Sequence, residues 1–177
     1  MVACRVRAGY ASTMDVYDDI DSPVGRLRLI ASDDALVGIW FEQRRDAARA
    51  APNLVCGSNA IIERARAQLG EYFAGTRRQF DLPLQPRGTE FQRRVWQRLT
   101  GIAYGATTTY GALATALGNS KGSRAVGLAN GSNPIPIVIP CHRVIGADGS
   151  LTGFGGGLAI KAKLLDLERA ATQPSLL

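Results

Sequence analysis

The chain has one histidine, His142, and three cysteines, Cys4, Cys56 and Cys141, among its 177 residues. A single histidine excludes a zinc site of the Cys2His2 type, and nothing in the cysteine spacing supports a Cys3His site. No two cysteines form a CxxC pair, and three is an odd number in unrelated contexts. Neither a disulfide framework nor a redox motif is therefore expected. No uninterrupted apolar run approaches the roughly 20 residues that a membrane helix needs. The stretch from Met1 to Tyr17 carries arginines but no apolar core. A secretory signal is not expected, and the cytoplasm is the default location. There is no internal repeat and no low-complexity tract.

What is present is ordinary in amount and uneven in placement. Hydrophobic residues make up 46% and charged residues 20%, which suits a globular protein with one large or two small cores. Through Thr76 there are 9 Lys and Arg against 10 Asp and Glu; from Arg77 onward there are 12 against 5. A neutral first half joined to a basic second half suggests that the second faces a polyanion. Ordinary surface variation is the alternative, and charge alone does not identify DNA.

The first half reads as strands followed by a helix. Tyr17 to Asp21 is a strand, Ser22-Pro23-Val24-Gly25 a turn, and Arg26 to Ile30 alternates like a half-buried strand. Asp33-Asp34 turns again, and Leu36 to Phe41 completes an antiparallel meander. Ile62, Ala65, Leu69 and Tyr72 or Phe73 follow helical spacing, with Gly75 as the stop. Residues 1–81 form the first domain. The segment 82–88, with Pro83, Pro86 and Gly88, reads as a linker to a second domain over 89–177.

The second half is mainly helical. Thr89 and Gln92 match a capping box, and Phe91, Val95 and Leu99 line one face of the helix that follows. Tyr110 to Leu117 is a second helix ending near Gly118, and a third runs from about Gly122 to Asn130. Two helices joined by a tight polar turn give a helix-turn-helix shape. Gly122, Ser123, Ala125, Gly127, Ala129 and Gly131 leave the third helix with little bulk and low helix propensity. Such a helix could pack closely on a neighbouring helix, or could approach another molecule closely. Arg124 and the basic half favour DNA, with the narrow minor groove the better fit.

Asn133 to Pro140 is apolar and interrupted by three prolines, so it can be extended but is no ordinary central strand. It delivers Cys141 and His142 from a largely buried segment. A lone cysteine there is usually an inert core thiol, and a lone histidine usually structural. Side by side, they are a candidate nucleophile and its base.

Pro140-Cys141-His142-Arg143-Val144 resembles the active-site signature of the O6-alkylguanine-DNA alkyltransferases. Tyr104-Gly105, Tyr110-Gly111, Ser123 to Gly127, Asn133-Pro134 and Gly153 to Leu158 follow the family in the same order. The resemblance is strong over Thr89 to Arg169 and rests before that on strand content and length. It implies an α+β fold, with a small antiparallel-sheet domain of ribonuclease-H-like type before a mainly helical, winged helix-turn-helix-like domain. It implies direct-reversal DNA repair: irreversible, single-turnover transfer of an alkyl group from O6-alkylguanine, and from O4-alkylthymine, in duplex DNA to Cys141 after nucleotide flipping. His142 would be the base, acting through a water, and Glu168 would orient it. Asn133 would brace the segment before Cys141. Tyr110 would rotate the target nucleotide at its phosphate and protonate the leaving base. Arg124 would fill the vacated stack, on a helix whose Ser123, Ala125 and Gly127 meet DNA. Val144, Pro136 and the loop of Phe154, Gly155, Gly156 and Gly157 would wall the guanine pocket. Glu168 as a solvated carboxylate and Tyr110 as a core aromatic are the plain alternatives.

The resemblance further implies no cofactor, no membrane partner, and a monomer in solution, with cooperativity on DNA left open. Relatives with a structural zinc use cysteines and histidines this chain lacks, so no metal is expected. Relatives that only bind lesions lack the acceptor cysteine, which is present here. Phe154 stands where many members have tyrosine. A thiol hydrolase would also use a Cys-His pair, but would leave the small-residue helix without a purpose.

Overall fold

A computed structural model describes residues 14–42 and 54–172; Cys4, one of the three cysteines, lies outside them. The chain divides into two compact units, Met1–Pro86 and Arg87–Leu177. Among the described residues no helix is long and apolar enough to cross a membrane.

The first unit is built on a sheet ordered β3-β2-β1-β4. Strands β1 (Asp15–Ile20), β2 (Leu27–Ala31) and β3 (Leu36–Phe41) form the expected meander. Its register sets Ile20 opposite Leu27 and Leu29 opposite Ile39. The first turn closes through the Gly25 amide to the Ser22 carbonyl at 3.0 Å, with Gly25 at φ 96°, a conformation glycine adopts without steric cost. A fourth strand, β4 (Leu54–Cys56), lies parallel to β1 and makes the sheet mixed rather than purely antiparallel. Three residues show too short an alternation to be legible in sequence. Cys56, at its end, is disulfide-bonded, contrary to the expectation drawn from cysteine number and spacing.

Helix α1 (Ala60–Phe73) covers the sheet with Ile61, Ile62, Ala65, Leu69 and Tyr72 buried. Asn59 caps it by accepting from the Ile61 and Ile62 amides, while its amide group donates to the Ser32 carbonyl at 2.8 Å. One side chain thus starts the helix and ties it to the β2–β3 turn. Asn59→Ala is expected to cost about 1–2 kcal/mol, the upper part of the range for a lost cap. A denaturant melt with unchanged slope and a lower midpoint is the check.

The segment read as a linker is partly ordered against the first unit. Leu36 donates to the Pro83 carbonyl at 2.9 Å and Gln85 donates to the Leu36 carbonyl at 3.0 Å, so Leu84 bridges to β3. β3 is the sheet's edge, and this strap covers part of it.

In the second unit, helix α2 (Glu90–Leu99) opens on the expected capping box between Thr89 and Gln92. Its inner face is Val95, Trp96 and Leu99; Phe91, assigned inward from spacing, is only half-buried. Trp96 takes the place facing helix α4 (Ser123–Gly131), donating from its indole to the Ala129 carbonyl at 2.8 Å. Helix α3 (Tyr110–Ala116) follows a two-residue strand, β5 (Thr108–Thr109), and α4 packs on both α2 and α3. Gly122 permits the tight turn into α4, since a Cβ there would lie 2.5 Å from the Asn119 side chain. A 3-10 turn over Cys141–Arg143 runs into strand β6 (Val144–Ile145), parallel to β5, and helix α5 (Leu158–Thr172) closes the unit.

Candidate active site

The approach to Cys141 is not simply extended. Ile139 donates back to the Ile135 carbonyl at 2.9 Å, and Pro136 bridges to Ile139. Asn133 sits inside this fold-back, donating to the Ile139 carbonyl at 2.8 Å and accepting from the Ile135 amide at 3.0 Å. Ile137 is left at φ 75°. That is a costly conformation for a β-branched residue and persists only where its surroundings impose it. Here the Asn133 bonds and the prolines impose it. The segment delivers Cys141, 3% exposed, into the 3-10 turn, and the Asn130 side chain holds the Cys141 carbonyl at 3.3 Å.

His142, Arg143 and Glu168 then form one buried array. His142 Nε2 lies 2.8 Å from Glu168 Oε1. Arg143 grips the same carboxylate with Nε and Nη2, each at 2.9 Å, and the Gly105 amide adds a bond to Oε2 at 3.0 Å. The other Arg143 amino group donates to the Ile102 carbonyl at 2.6 Å. Glu168, fully buried, is therefore no solvated helix carboxylate. An ionised carboxylate only accepts, so the proton between the two groups sits on His142 Nε2. Nδ1, which has no hydrogen-bond partner among the described residues, then carries the lone pair. This is the tautomer a base needs.

Burial pushes His142 below its ordinary value of 6.5. The Glu168 bond opposes that shift, and Arg143 and Lys161 add to it. Burial pushes the Glu168 carboxyl up, but hydrogen bonds from His142, Arg143 and Gly105 outweigh it and bring it from 4.5 to about 2. Both groups thus bind fewer protons folded than unfolded, so stability falls as pH falls. The His142 contribution is complete above about pH 6.5 and declines below it. The Glu168 contribution, on the order of 3 kcal/mol, is lost between about 4.5 and 2. Denaturant melts at pH 7, 5 and 3 should show a progressive loss; equal stability at pH 7 and 3 would contradict the array.

Lys161 was not singled out from sequence. It is fully buried, its ammonium donating to the Val144 and Thr152 carbonyls at 2.6 and 2.7 Å. Burial pushes it below its usual value, while the charge of Cys141 pulls it back up. The same attraction favours the thiolate at Cys141. Lys161 also lies 5.9 Å from the ring of Tyr110, whose hydroxyl donates to the Thr152 carbonyl at 3.1 Å.

Val144 and Pro136 are buried, and Phe154 presents its ring edge-to-face to His142 at 6.4 Å. Gly155 is half-buried and Gly156 buried, while Gly157 turns the chain into α5 at φ 88°. Gly127 faces the Tyr110 ring, where a Cβ would stand 3.7 Å away. Ser123, Arg124 and Ala125 are not part of this cluster; they lie exposed on α4. Leu128, one turn past Arg124 and 74% exposed, was not anticipated on that surface. Among the described residues no group of three or more His, Cys, Asp or Glu is placed to hold a metal ion.

Comparison with known proteins agrees with this layout. The family described as 6-O-methylguanine DNA methyltransferase, ribonuclease-like domain, matches residues 16–86, and its DNA binding domain matches residues 90–170. The class is thus a ribonuclease-like α+β domain followed by a helical DNA-binding domain. A methylated-DNA–protein-cysteine methyltransferase of Mycolicibacterium paratuberculosis is 48% identical, covering 90% of this chain and 96% of its own. One from Methanosarcina acetivorans is 47% identical, over 86% and 97%. The crystal structure of the Mycobacterium tuberculosis O6-methylguanine methyltransferase superposes with a TM-score of 0.82 at 45% identity, over 92% and 98%. A structure of the M. tuberculosis protein in complex with DNA gives 0.81 at 43%, over 90% and 96%. The chain belongs to the 6-O-methylguanine DNA methyltransferase family.

Proposed function

We propose that this protein repairs alkylated duplex DNA by moving the alkyl group from O6 of guanine, and from O4 of thymine, to the sulfur of Cys141. Buried Cys141, next in the chain to the buried His142–Glu168 pair inside the DNA-binding domain, carries this reading. His142 Nδ1 takes the thiol proton through a water, and the Lys161 charge favours the thiolate. The sulfur attacks the alkyl carbon, an S–C bond forms, and the C–O bond breaks. Guanine leaves with a proton from Tyr110, which stands by the pocket loop. The thioether has no good leaving group and Cys56 is disulfide-bonded, so nothing on hand regenerates the thiol. Each molecule acts once.

A stacked base cannot present its O6 substituent to a buried thiol, so the nucleotide is flipped out. Tyr110 turns it at its phosphate, Arg124 fills the gap, and the low bulk of Ser123, Ala125 and Gly127 lets α4 enter the minor groove. Val144, Pro136 and residues Phe154 to Gly157 hold the base. The protein is a monomer in solution.

The deciding experiment mixes the protein with a duplex carrying labelled O6-methylguanine and locates the label by peptide mass. One label per molecule on Cys141 is expected. Label on another cysteine, or many turnovers per molecule, overturns the proposal. Arg124→Ala should slow duplex repair at least about tenfold while sparing reaction with free O6-benzylguanine, which leaves no gap in a stack. Equal losses on both substrates would place Arg124 in the pocket or the fold instead.

A further inference from the structure

A cleft of about 810 Å³ opens in the second unit between α2 and α3, and Cys141 does not line it. Its lining is mixed: Ile102, Ala112, Leu113, Ala116 and Leu117 give it an apolar part, Gln97, Thr100 and Thr108 a polar one, and Arg94 and Arg98 also line it. No Asp or Glu lines it, and neither arginine makes an ion pair or hydrogen bond among the described residues. The volume lies in the range of functional pockets. Cleft and proposed DNA surface are on opposite sides of the helices. On α2, Arg94 and Arg98 stand two residues before and after Trp96, about 200° around the helix from the side chain that faces α4. On α3, Ala112 and Ala116 lie about 200–240° from Tyr110.

We infer that this cleft docks an acidic peptide segment of another protein, a function separate from alkyl transfer. The two guanidiniums, one helical turn apart, match a pair of carboxylates, and the apolar part of the lining takes a leucine-sized side chain. Arginine beside an apolar centre is the composition favoured at protein interfaces. A nucleic-acid backbone matches the charge but offers nothing apolar to fill that part.

The test titrates two capped nine-residue peptides into isotope-labelled full-length protein, followed by amide NMR shifts. One carries two leucines and four glutamates; the other has lysines for the glutamates. Saturable shifts at Ile102, Ala112 and Ala116 are expected with the acidic peptide only. Arg94→Gln/Arg98→Gln should weaken it about tenfold, through two lost charge pairs, and Ala116→Trp should block it by filling the apolar part. All three positions are exposed, and both variants should fold and transfer label to Cys141 like the wild type. Equal binding of the lysine peptide, no shifts at millimolar peptide, or displacement of the acidic peptide by an unmodified 12-base-pair duplex would overturn the inference. Loss of alkyl transfer by the wild type would sink the proposed function and leave this reading untouched.

Discussion

Cys141→Ser is expected to transfer no alkyl group while still binding alkylated duplex. Serine fits the space of cysteine, so the 3-10 turn and the Asn130 bond to the residue-141 carbonyl should survive. What is lost is the nucleophile. A thiol is far more acidic than a hydroxyl, and the Lys161 charge acts in favour of its thiolate. A hydroxyl stays protonated, and its oxygen attacks a saturated carbon poorly. His142 Nδ1 would remain in place with nothing acidic enough to deprotonate. The loss should be at least about 10⁴-fold, the order seen when the nucleophile of a base-assisted pair is removed. The measurement is label transfer from a methylated duplex, alongside a melting curve and a binding isotherm. Residual transfer within tenfold of wild type would mean that Cys141 is not the acceptor. A variant that neither folds nor binds DNA would contradict the local account of the turn.

The contrast between this site and its surroundings shows what the sequence made readable. The capping box at Thr89 and the stop at Gly75 were legible because each is a local bond satisfying the ends of one helix. The β1–β3 meander was legible because its turns and alternation lie within short range. Strand β4 was not, since three residues carry no period, and its parallel pairing to β1 depends on chain far from it in sequence. The proline-rich approach to Cys141 was read as extended because prolines exclude regular ladders. Its fold-back around Asn133, with Ile137 at positive φ, comes from bonds no local rule anticipates. The partnership of His142 with Glu168, 26 residues apart, entered through the family resemblance alone. Lys161 had a signal that went unread. Lys161, Leu164, Leu165 and Glu168 follow the i, i+3, i+4, i+7 spacing of a buried helix face, and all four are buried. Two charges on such a face must each find partners, which makes them candidates for a site.

Replacing Glu168 is expected to cost more stability than any other single change in the array, and the choice of replacement separates its two roles. Its oxygens accept four hydrogen bonds, from His142, twice from Arg143, and from the Gly105 amide. Glu168→Ala leaves the Arg143 guanidinium, 6% exposed, buried without its counter-charge, and leaves His142 Nε2–H unsatisfied. Breaking one side of a buried pair costs about 3–5 kcal/mol. In a unit of this size that lowers the melting temperature by at least about 12 °C. Glu168→Gln keeps the volume but offers one acceptor oxygen where the carboxylate offers two. If that oxygen serves Arg143, the amide nitrogen faces His142 and forces the proton onto Nδ1, removing the lone pair that accepts from the thiol. The glutamine variant should therefore fold with a smaller loss, about 1.5–3 kcal/mol. Its transfer should be about 10²–10⁴-fold slower, the weight of a general base. It should also lose the stability change between pH 4.5 and 2, because the group that titrates there is gone. Melts across that range and single-turnover transfer on the same preparations test both roles. A glutamine variant as fast as wild type, with an unchanged acid profile, would show that Glu168 neither orients His142 nor supplies the acid-labile charge.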